Sequence, residues 1–465
     1  MTGGLLFLII ILIIAASVVA IIYANKKAKR LQTVSWFEKQ WKKDSVKATT
    51  SSFISVFVGL LIGAIILLAM CGSVDGGLKT GLEGVQLIFF GVFNIGRNAS
   101  GNLVFGWNGT SIGNVLFKAM PLILTGLSVA LAFKTGLFNI GAPGQYLMGT
   151  AASLIVALSI PTTAVPAWIV WILAFLSGML AGALWGAIPG LFKAFLNVNE
   201  VISCIMTNWI AANLVTALFD NSTGPFKNLL DPSGTKNFAY VYKTTHNGVA
   251  TPSLGLDKIF PGSQVNAGIF VAIIIAIVVY IVLNKTTFGY ELKACGANRD
   301  AAKYAGINEK RNILLSMAIA GGLAGAGAAL YYLSGNTEFK WLTYQSLPAI
   351  GFNGIPVALL ASNNPVGVIA SAIFLSYLDV AGMSLKYMTT YNEYITSIIS
   401  AIIVYFSAFA LLIKMILEGK IKISFFQNKN INKEVEIKNK EKPKEINESN
   451  NDSDEKNIAN KEAKE

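Results

Sequence analysis

Residues 136–145 read Gly-Leu-Phe-Asn-Ile-Gly-Ala-Pro-Gly-Gln, and they lie inside Thr135–Phe192, a stretch with no Asp, Glu, Lys or Arg. Glycine and proline break a helix there and free backbone groups. At membrane depth such breaks are tolerated where they line a cavity or are buried in protein. Asn139 and Gln145 supply donors and acceptors without charge, which suits a neutral polar solute. A turn at the membrane edge after Lys134 would use the same residues, and the sequence leaves both readings open. A second candidate is Gly351-Phe-Asn-Gly-Ile-Pro-Val357. Phe352 offers a ring for stacking and Asn353 a bidentate amide; the pair suits a nucleobase and equally a helix cap. Asn208 is a further amide in an apolar segment, placed to hydrogen-bond between helices.

Residues 298–307 carry a different kind of signal. Asn298 is a good N-cap and Gly306 a good residue just past a helix end. Between them Ala301, Ala302, Tyr304 and Ala305 make two turns with a small-residue face. Such a helix fits a groove on another protein, or stands as a bare surface helix.

Hydrolytic and metal chemistry find little support. The one histidine is His246, and Cys71, Cys204 and Cys295 are far apart with no ligand spacing, so neither a zinc site nor a histidine-dependent triad is expected. Gly419-Lys420 is followed by Ile421 and preceded by no suitable glycine, so the chain has no Walker A loop. If ATP drives this protein, another chain binds it; no cofactor is expected on this one. The net charge of +12 does not point to nucleic acid. Lys and Arg cluster between apolar blocks, as orientation signals and headgroup contacts require.

The elements that must position these residues are membrane helices. Only 13% of the 465 residues are charged, and long charge-free blocks such as Ala48–Val74, Thr135–Phe192 and Ile259–Asn284 are continuous rather than alternating. A crossing needs about 20 apolar residues, and backbone groups in lipid must be paired within the segment. The expected fold is an all-α polytopic membrane protein with about 10–11 transmembrane helices. The crossings fall near 5–24, 53–71, 112–133, 144–160, 167–192, 201–219, 268–284, 312–334, 347–361, 364–380 and 394–416. The pair 347–361 and 364–380 flanks Asn363, Asn364 and Pro365 and reads as a short broken or re-entrant hairpin. Val85–Phe93 is too short to span, and is expected in the interface or against the bundle. Four basic residues after 5–24 place Met1 outside, which puts the basic 285–311 loop and the C-terminal tail in the cytoplasm. Lys118, Glu200 and Asp379 are expected near helix ends. That argues against a stand-alone secondary transporter or channel, which would favour an ionisable residue in mid-membrane.

Three regions follow: 1–51, an N-terminal transmembrane helix with a basic cytoplasmic linker; 52–417, the transmembrane domain; and 418–465, a Lys-, Glu- and Asn-rich tail expected to be disordered. Gly178, Gly182, Gly186 and Gly190 recur every fourth residue, and Gly321 and Gly325 form a second set. Small residues at that spacing let helices approach closely, as ordinary packing or as a sliding surface.

In combination, residues 117–149, Asn199-Glu-Val-Ile-Ser-Cys-Ile-Met-Thr-Asn208, Thr287–Ile307 and Gly351–Leu360 resemble the nucleoside and simple-sugar ABC importer permease family, most closely its longer, nucleoside-handling permease. The resemblance covers roughly 53–417. Pro143 stands where the family commonly has an acidic residue, and residues 1–51 and 418–465 lie outside the family's pattern. The resemblance implies a non-catalytic transport subunit in the cell membrane, paired with a second, related permease chain. Cytoplasmic ABC ATPases would bind the ATP, and an external substrate-binding lipoprotein would deliver solute. Asn139, Gln145, Asn208, Phe352 and Asn353 become candidates for the substrate path. Gly289, Glu291, Asn298, Ala301, Ala302, Tyr304 and Gly306 become candidates for coupling to the ATPase.

Overall fold

The computed structural model describes residues 44–417 apart from 74, 221, 231–248, 338, 392–397, 400, 403, 404, 407 and 408, with isolated positions 23, 26 and 39 before them. Apart from Tyr23, the apolar run 5–24 lies outside the described residues, as do His246, nine positions of the expected crossing at 394–416 and the tail 418–465.

Helix α1 (Asp44–Ala69) and the shorter α2 (Gly77–Phe90) lead into a two-stranded antiparallel hairpin, β1 (Asn94–Arg97) with β2 (Leu103–Phe105). The expected Val85–Phe93 stretch is therefore the apolar end of α2 and the 3-10 turn Gly91–Phe93 that follows it, and α2 packs against α1 and the end of the last long helix. Arg97 fixes the hairpin: its guanidinium bonds both Glu83 carboxylate oxygens, at 3.1 and 2.6 Å, and donates to the carbonyls of Gly101 and Met388.

Asn108 then accepts the Ser111 N–H at 3.0 Å and starts α3 (Gly109–Lys134). Most of α3 from Phe117 to Ala132 is buried. It is the central post of the bundle, which explains why its apolar residues run all round the helix instead of forming a stripe. Around it stand α4 (Ala142–Ser159), α5 (Ala167–Leu196), α6 (Glu200–Leu218) and α7 (Gly268–Lys285). Two short helices follow, α8 (Thr287–Ala297) and α9 (Arg299–Tyr304). The set is completed by α10 (Glu309–Tyr332), α11 (Ala349–Leu360), α12 (Pro365–Met388) and α13 (Ala410–Leu417).

Among the described residues seven helices are long and apolar enough to cross a membrane: the Ile54–Gly72 stretch, α3, α5, α6, α7, α10 and α12. Leu173, Leu176, Leu180 and Leu184 of α5 are exposed, whereas Gly178, Gly182, Gly186 and Gly190 on its other side are buried. An exposed leucine face on an otherwise packed helix is what lipid contact requires.

The hairpin expected at 347–380 is unequal. α11 has 12 residues and α12 has 24. Ser362 and Asn363 make the turn with left-handed φ values of 50° and 56°, and Asn364 caps α12 through the Val366 N–H at 3.1 Å.

Contacts near the helix ends mark the two ends of the bundle. At one end Trp341 donates to the Thr216 carbonyl, Thr251 N–H to Leu333 and Arg97 to Met388. At the other end Lys193 pairs with Glu200 at 2.9 Å, and the Lys310 ammonium sits 5.5 Å from the Phe195 ring centre.

Candidate functional site

Helices α3, α10, α11 and α12 line an open cavity of about 340 Å³, within the usual range for a small-molecule site. Lys118, Pro121 and Leu122 line it from α3, Tyr331 from α10, Ala349, Ile350, Asn353 and Pro356 from α11, and Leu375, Leu378 and Asp379 from α12. Pro121 and Pro356 sit inside their helices. Because proline has no N–H, the carbonyls of Phe117 and Phe352 lose their α-helical donors. The Lys118 ammonium donates to the Asp379 carboxylate across the cavity, and its next neighbour is the Met383 sulfur at 3.8 Å.

This pair corrects the expectation that both residues lie at solvated helix ends. At a rise of about 1.5 Å per residue, each sits about 14 Å in from the nearer end of its helix. Their side chains are 29% and 63% exposed. Charges at that depth do not face hydrocarbon; they face a polar cavity or protein. Asn353 has no hydrogen-bond partner among the described residues, nor does the Tyr331 hydroxyl. The Tyr331 ring stacks on Phe117 at 5.4 Å.

The Gly-Pro segment forms a separate, closed cluster. After Lys134 the chain turns at Gly136 (φ +70°) and climbs back along α3. Asn139 donates to Ser128 Oγ at 3.0 Å and to Gln145 Oε1 at 2.8 Å; its own Oδ1 accepts from Gln145 Nε2 at 3.0 Å and from the Gly141 N–H at 3.2 Å. Ser128 lies about 9 Å up α3 from Lys134, so α4 starts inside the bundle rather than at its edge. Asn208 of α6 reaches across to do the capping: Oδ1 accepts the Gly144 N–H at 2.9 Å and Nδ2 donates to the Ile140 carbonyl at 3.0 Å. Asn139, Gln145 and Asn208 are all fully buried. Gly351 at the start of α11 packs on Pro143, where an added Cβ would come within 2.5 Å of the Pro143 Cα.

At the Lys134 end, α8 and α9 form a ledge. The Thr286 hydroxyl caps α8 at the Gly289 N–H, and Gly289 itself abuts the last turn of α7, where no side chain fits. Glu291 accepts from Asn312 of α10 at 3.0 Å, and Gly296 packs on the backbone of Lys134–Gly136. Asn298 Oδ1 accepts the Ala301 N–H at 3.0 Å, and Gly306 (φ +79°) closes the far end, with Ile307 N–H bonding the Ala302 carbonyl. Ala302 is buried at 4% exposure, Ala301 is exposed, and Tyr304 is 94% exposed.

Comparison with known proteins decides the family. Residues 111–408 match the family described as "Branched-chain amino acid transport system / permease component". The chain is 33% identical to the guanosine ABC transporter permease protein NupP of Bacillus subtilis (strain 168), over 79% of this chain and 95% of that protein. It is 34% identical to the nucleoside ABC transporter permease protein NupB of Lactococcus lactis subsp. cremoris (strain MG1363), over 78% of this chain and 92% of that protein. It is 33% identical to the glucose ABC transporter permease protein TsgB13 of Haloferax volcanii, over 63% of this chain and 74% of that protein. The chain belongs to this permease family. No solved structure matches it.

The permease is a multi-pass membrane protein, and its sequence-derived candidates separate into three places. Asn353 lines the cavity, with Phe352 beside it on the exposed side of α11. Asn139, Gln145 and Asn208 join in the buried cluster. Gly289, Glu291, Asn298, Ala301, Ala302, Tyr304 and Gly306 build the ledge, of which Ala301 and Tyr304 face outward. Sequence reasoning does not find Lys118, Tyr331 and Asp379 as cavity residues. The available signal for Asp379 is its place inside a helical run that continues unbroken to Met388; for Lys118 it is the long apolar run on both sides.

Proposed function

We propose that this permease is the membrane-spanning subunit of an ATP-driven importer that passes nucleosides, or sugars of similar size and neutrality, into the cytoplasm by alternating access. One observation carries the reading: a Lys–Asp pair and an amide unpartnered among the described residues border a 340 Å³ cavity at membrane depth. A purely structural bundle would not leave such groups open in mid-span. The names of the relatives supply the solute classes. The permease does no chemistry on its cargo. Asn353, with Phe352 next to it, meets the solute, while Asn139, Gln145 and Asn208 hold the broken segment that frames the path. ATP belongs to a separate cytoplasmic ATPase, a second, related permease completes the translocation unit, and an external lipoprotein delivers the solute.

In this reading the α8–α9 ledge receives the ATPase. Alternation of exposed Ala301 and Tyr304 with buried Ala302 makes the docking claim testable. Ala301→Arg places a long cation on the exposed face and is expected to leave yield and thermal unfolding unchanged while abolishing co-purification of the ATPase. Ala302→Arg forces the same group into the packed side and is expected to lower the yield of folded protein. If Ala301→Arg retains the ATPase at wild-type level, the ledge is not the docking surface.

The same ledge supports an orientation. Lys285, Lys293, Arg299, Lys303, Lys310 and Arg311 cluster there, as the positive-inside rule asks of a cytoplasmic face. On that rule the hairpin end and Met1 are outside and the C-terminal tail is inside. Tyr304→Cys gives a fully exposed probe on a quiet background. Cys204 and Cys295 are buried, and burial pushes the Cys295 thiol pKa up, away from the reactive thiolate. With Cys71 replaced by serine and the permease expressed without its ATPase, a membrane-impermeant maleimide is expected to label the introduced thiol in inverted vesicles and not in intact cells. Labelling in intact cells would reverse the topology.

A further inference from the structure

The polar groups of the cavity have an arrangement more specific than "polar". Asp379 uses one carboxylate oxygen, Oδ2, on Lys118, and no described residue bonds the other. An ionised carboxylate offers about four acceptor positions. Lys118 has three donors; one goes to Asp379, and the neighbouring Met383 sulfur is a weak acceptor. Spare acceptors therefore lie next to spare donors on a pair whose formal charges cancel. A hydroxyl group matches this, because it donates to the carboxylate and accepts from the ammonium at once. Two hydroxyls on adjacent carbons match it better, since both can donate to one carboxylate in the bidentate manner that favours charge-assisted bonds. An anion or cation would find its own charge opposed by one member of the pair. Asn353, on the α11 wall, faces the same space with its donor and acceptor sides bonded to no described residue.

We propose that Asp379, held by Lys118, is a subsite for a vicinal diol on a neutral ring-bearing solute, with Asn353 reading the solute's other polar edge. This deepens the importer reading and rests on it. A site that hydrogen-bonds a hydroxyl rejects the analogue lacking it, because its own polar groups are left unpaired.

The test uses the full importer, with both permeases, ATPases and receptor, in proteoliposomes. The probes are guanosine, 2′,3′-dideoxyguanosine and leucine. The measured quantity is the ratio of guanosine to dideoxyguanosine uptake, compared between wild type and Asp379→Asn. The receptor's own preference is common to both and cancels. The ratio is expected to fall by about tenfold in Asp379→Asn, the scale of one lost charge-assisted hydrogen bond. An unchanged ratio with normal guanosine uptake overturns the diol subsite and leaves the importer reading standing. Wild-type uptake of leucine in preference to guanosine overturns both. The double variant Lys118→Asp with Asp379→Lys rebuilds the ion pair with the carboxylate on the opposite wall, and it carries the test if Asp379→Asn fails to assemble. Loss of the preference in the swapped pair supports the subsite. A wild-type preference there makes the pair a brace and overturns it.

Discussion

Gly182→Leu is expected to abolish recovery of the folded permease, measured as the loss of a monodisperse peak on size exclusion in mild detergent. The reason is geometric. Gly178, Gly182 and Gly186 of α5 face Gly321 and Gly325 of α10, and Gly149 of α4 completes the seam. A Cβ at Gly182 would overlap the Gly321 carbonyl oxygen and lie 2.9 Å from the Gly325 Cα and 3.0 Å from its nitrogen. These obstacles are backbone, so no rotamer change relieves them. Overpacking in a core costs about 1–3 kcal/mol when side chains can shift, and more is expected where two helix axes must part. In lipid no hydrophobic driving force holds helices together; close van der Waals contact does. Parting α5 from α10 therefore removes the main term that keeps them associated. Gly190 gives the internal comparison. An added Cβ there would lie 2.9 Å from the Met317 Cβ and 3.4 Å from the Leu314 Cα, against outright overlap with the Gly321 oxygen at Gly182, so Gly190→Ala should be tolerated better than Gly182→Ala. Equal yields for Gly182→Leu and wild type would mean that the two helices do not meet as described.

That seam also shows how far the sequence can be read. The four-residue spacing announces a face for close approach, and the second glycine set suggests its partner. Helix positions are legible too, because hydrocarbon tolerates few charges: the expected 112–133 is Gly109–Lys134, and 312–334 is Glu309–Tyr332. What fails is the use of charge as a boundary marker. Asp379 reads as the end of a crossing near 380, yet α12 continues to Met388, because Lys118 from a helix distant in sequence neutralises that carboxylate. The same failure weakens the case against a secondary transporter, which leans on the absence of ionisable groups in mid-span. Such a pair exists, and it is family membership that assigns the chain to ABC permeases. Val85–Phe93 looks too short because Lys79 and Glu83 dilute the first turns of α2, whose Glu83 serves Arg97 of the hairpin. Partnership across sequence distance is the common thread, and periodicity within one segment does not report it.

The amides that stand out in the sequence look alike there, and the structure gives them opposite circumstances. Asn139 has its hydrogen-bonding positions filled by Ser128, Gly141 and both ends of the Gln145 amide. Replacing it with leucine would strand the Gln145 side chain, the Ser128 hydroxyl and the Gly141 N–H in a dry interior. Each buried group left unpaired costs about 1–3 kcal/mol, so Asn139→Leu is expected to lose several kcal/mol, against a total of about 5–15 kcal/mol for a typical domain. The expected result is a large fall in thermal unfolding temperature in detergent. Asn353 has no partner to strand among the described residues. Asn353→Leu is expected to leave unfolding near wild type while solute uptake drops, because the amide it removes lines the cavity and bonds no described residue. Measuring both quantities for both variants separates scaffold from solute contact. An Asn139→Leu protein as stable as wild type would remove the latch. An Asn353→Leu protein that unfolds as early as Asn139→Leu would return Asn353 to the scaffold and leave the solute path without its uncharged contact.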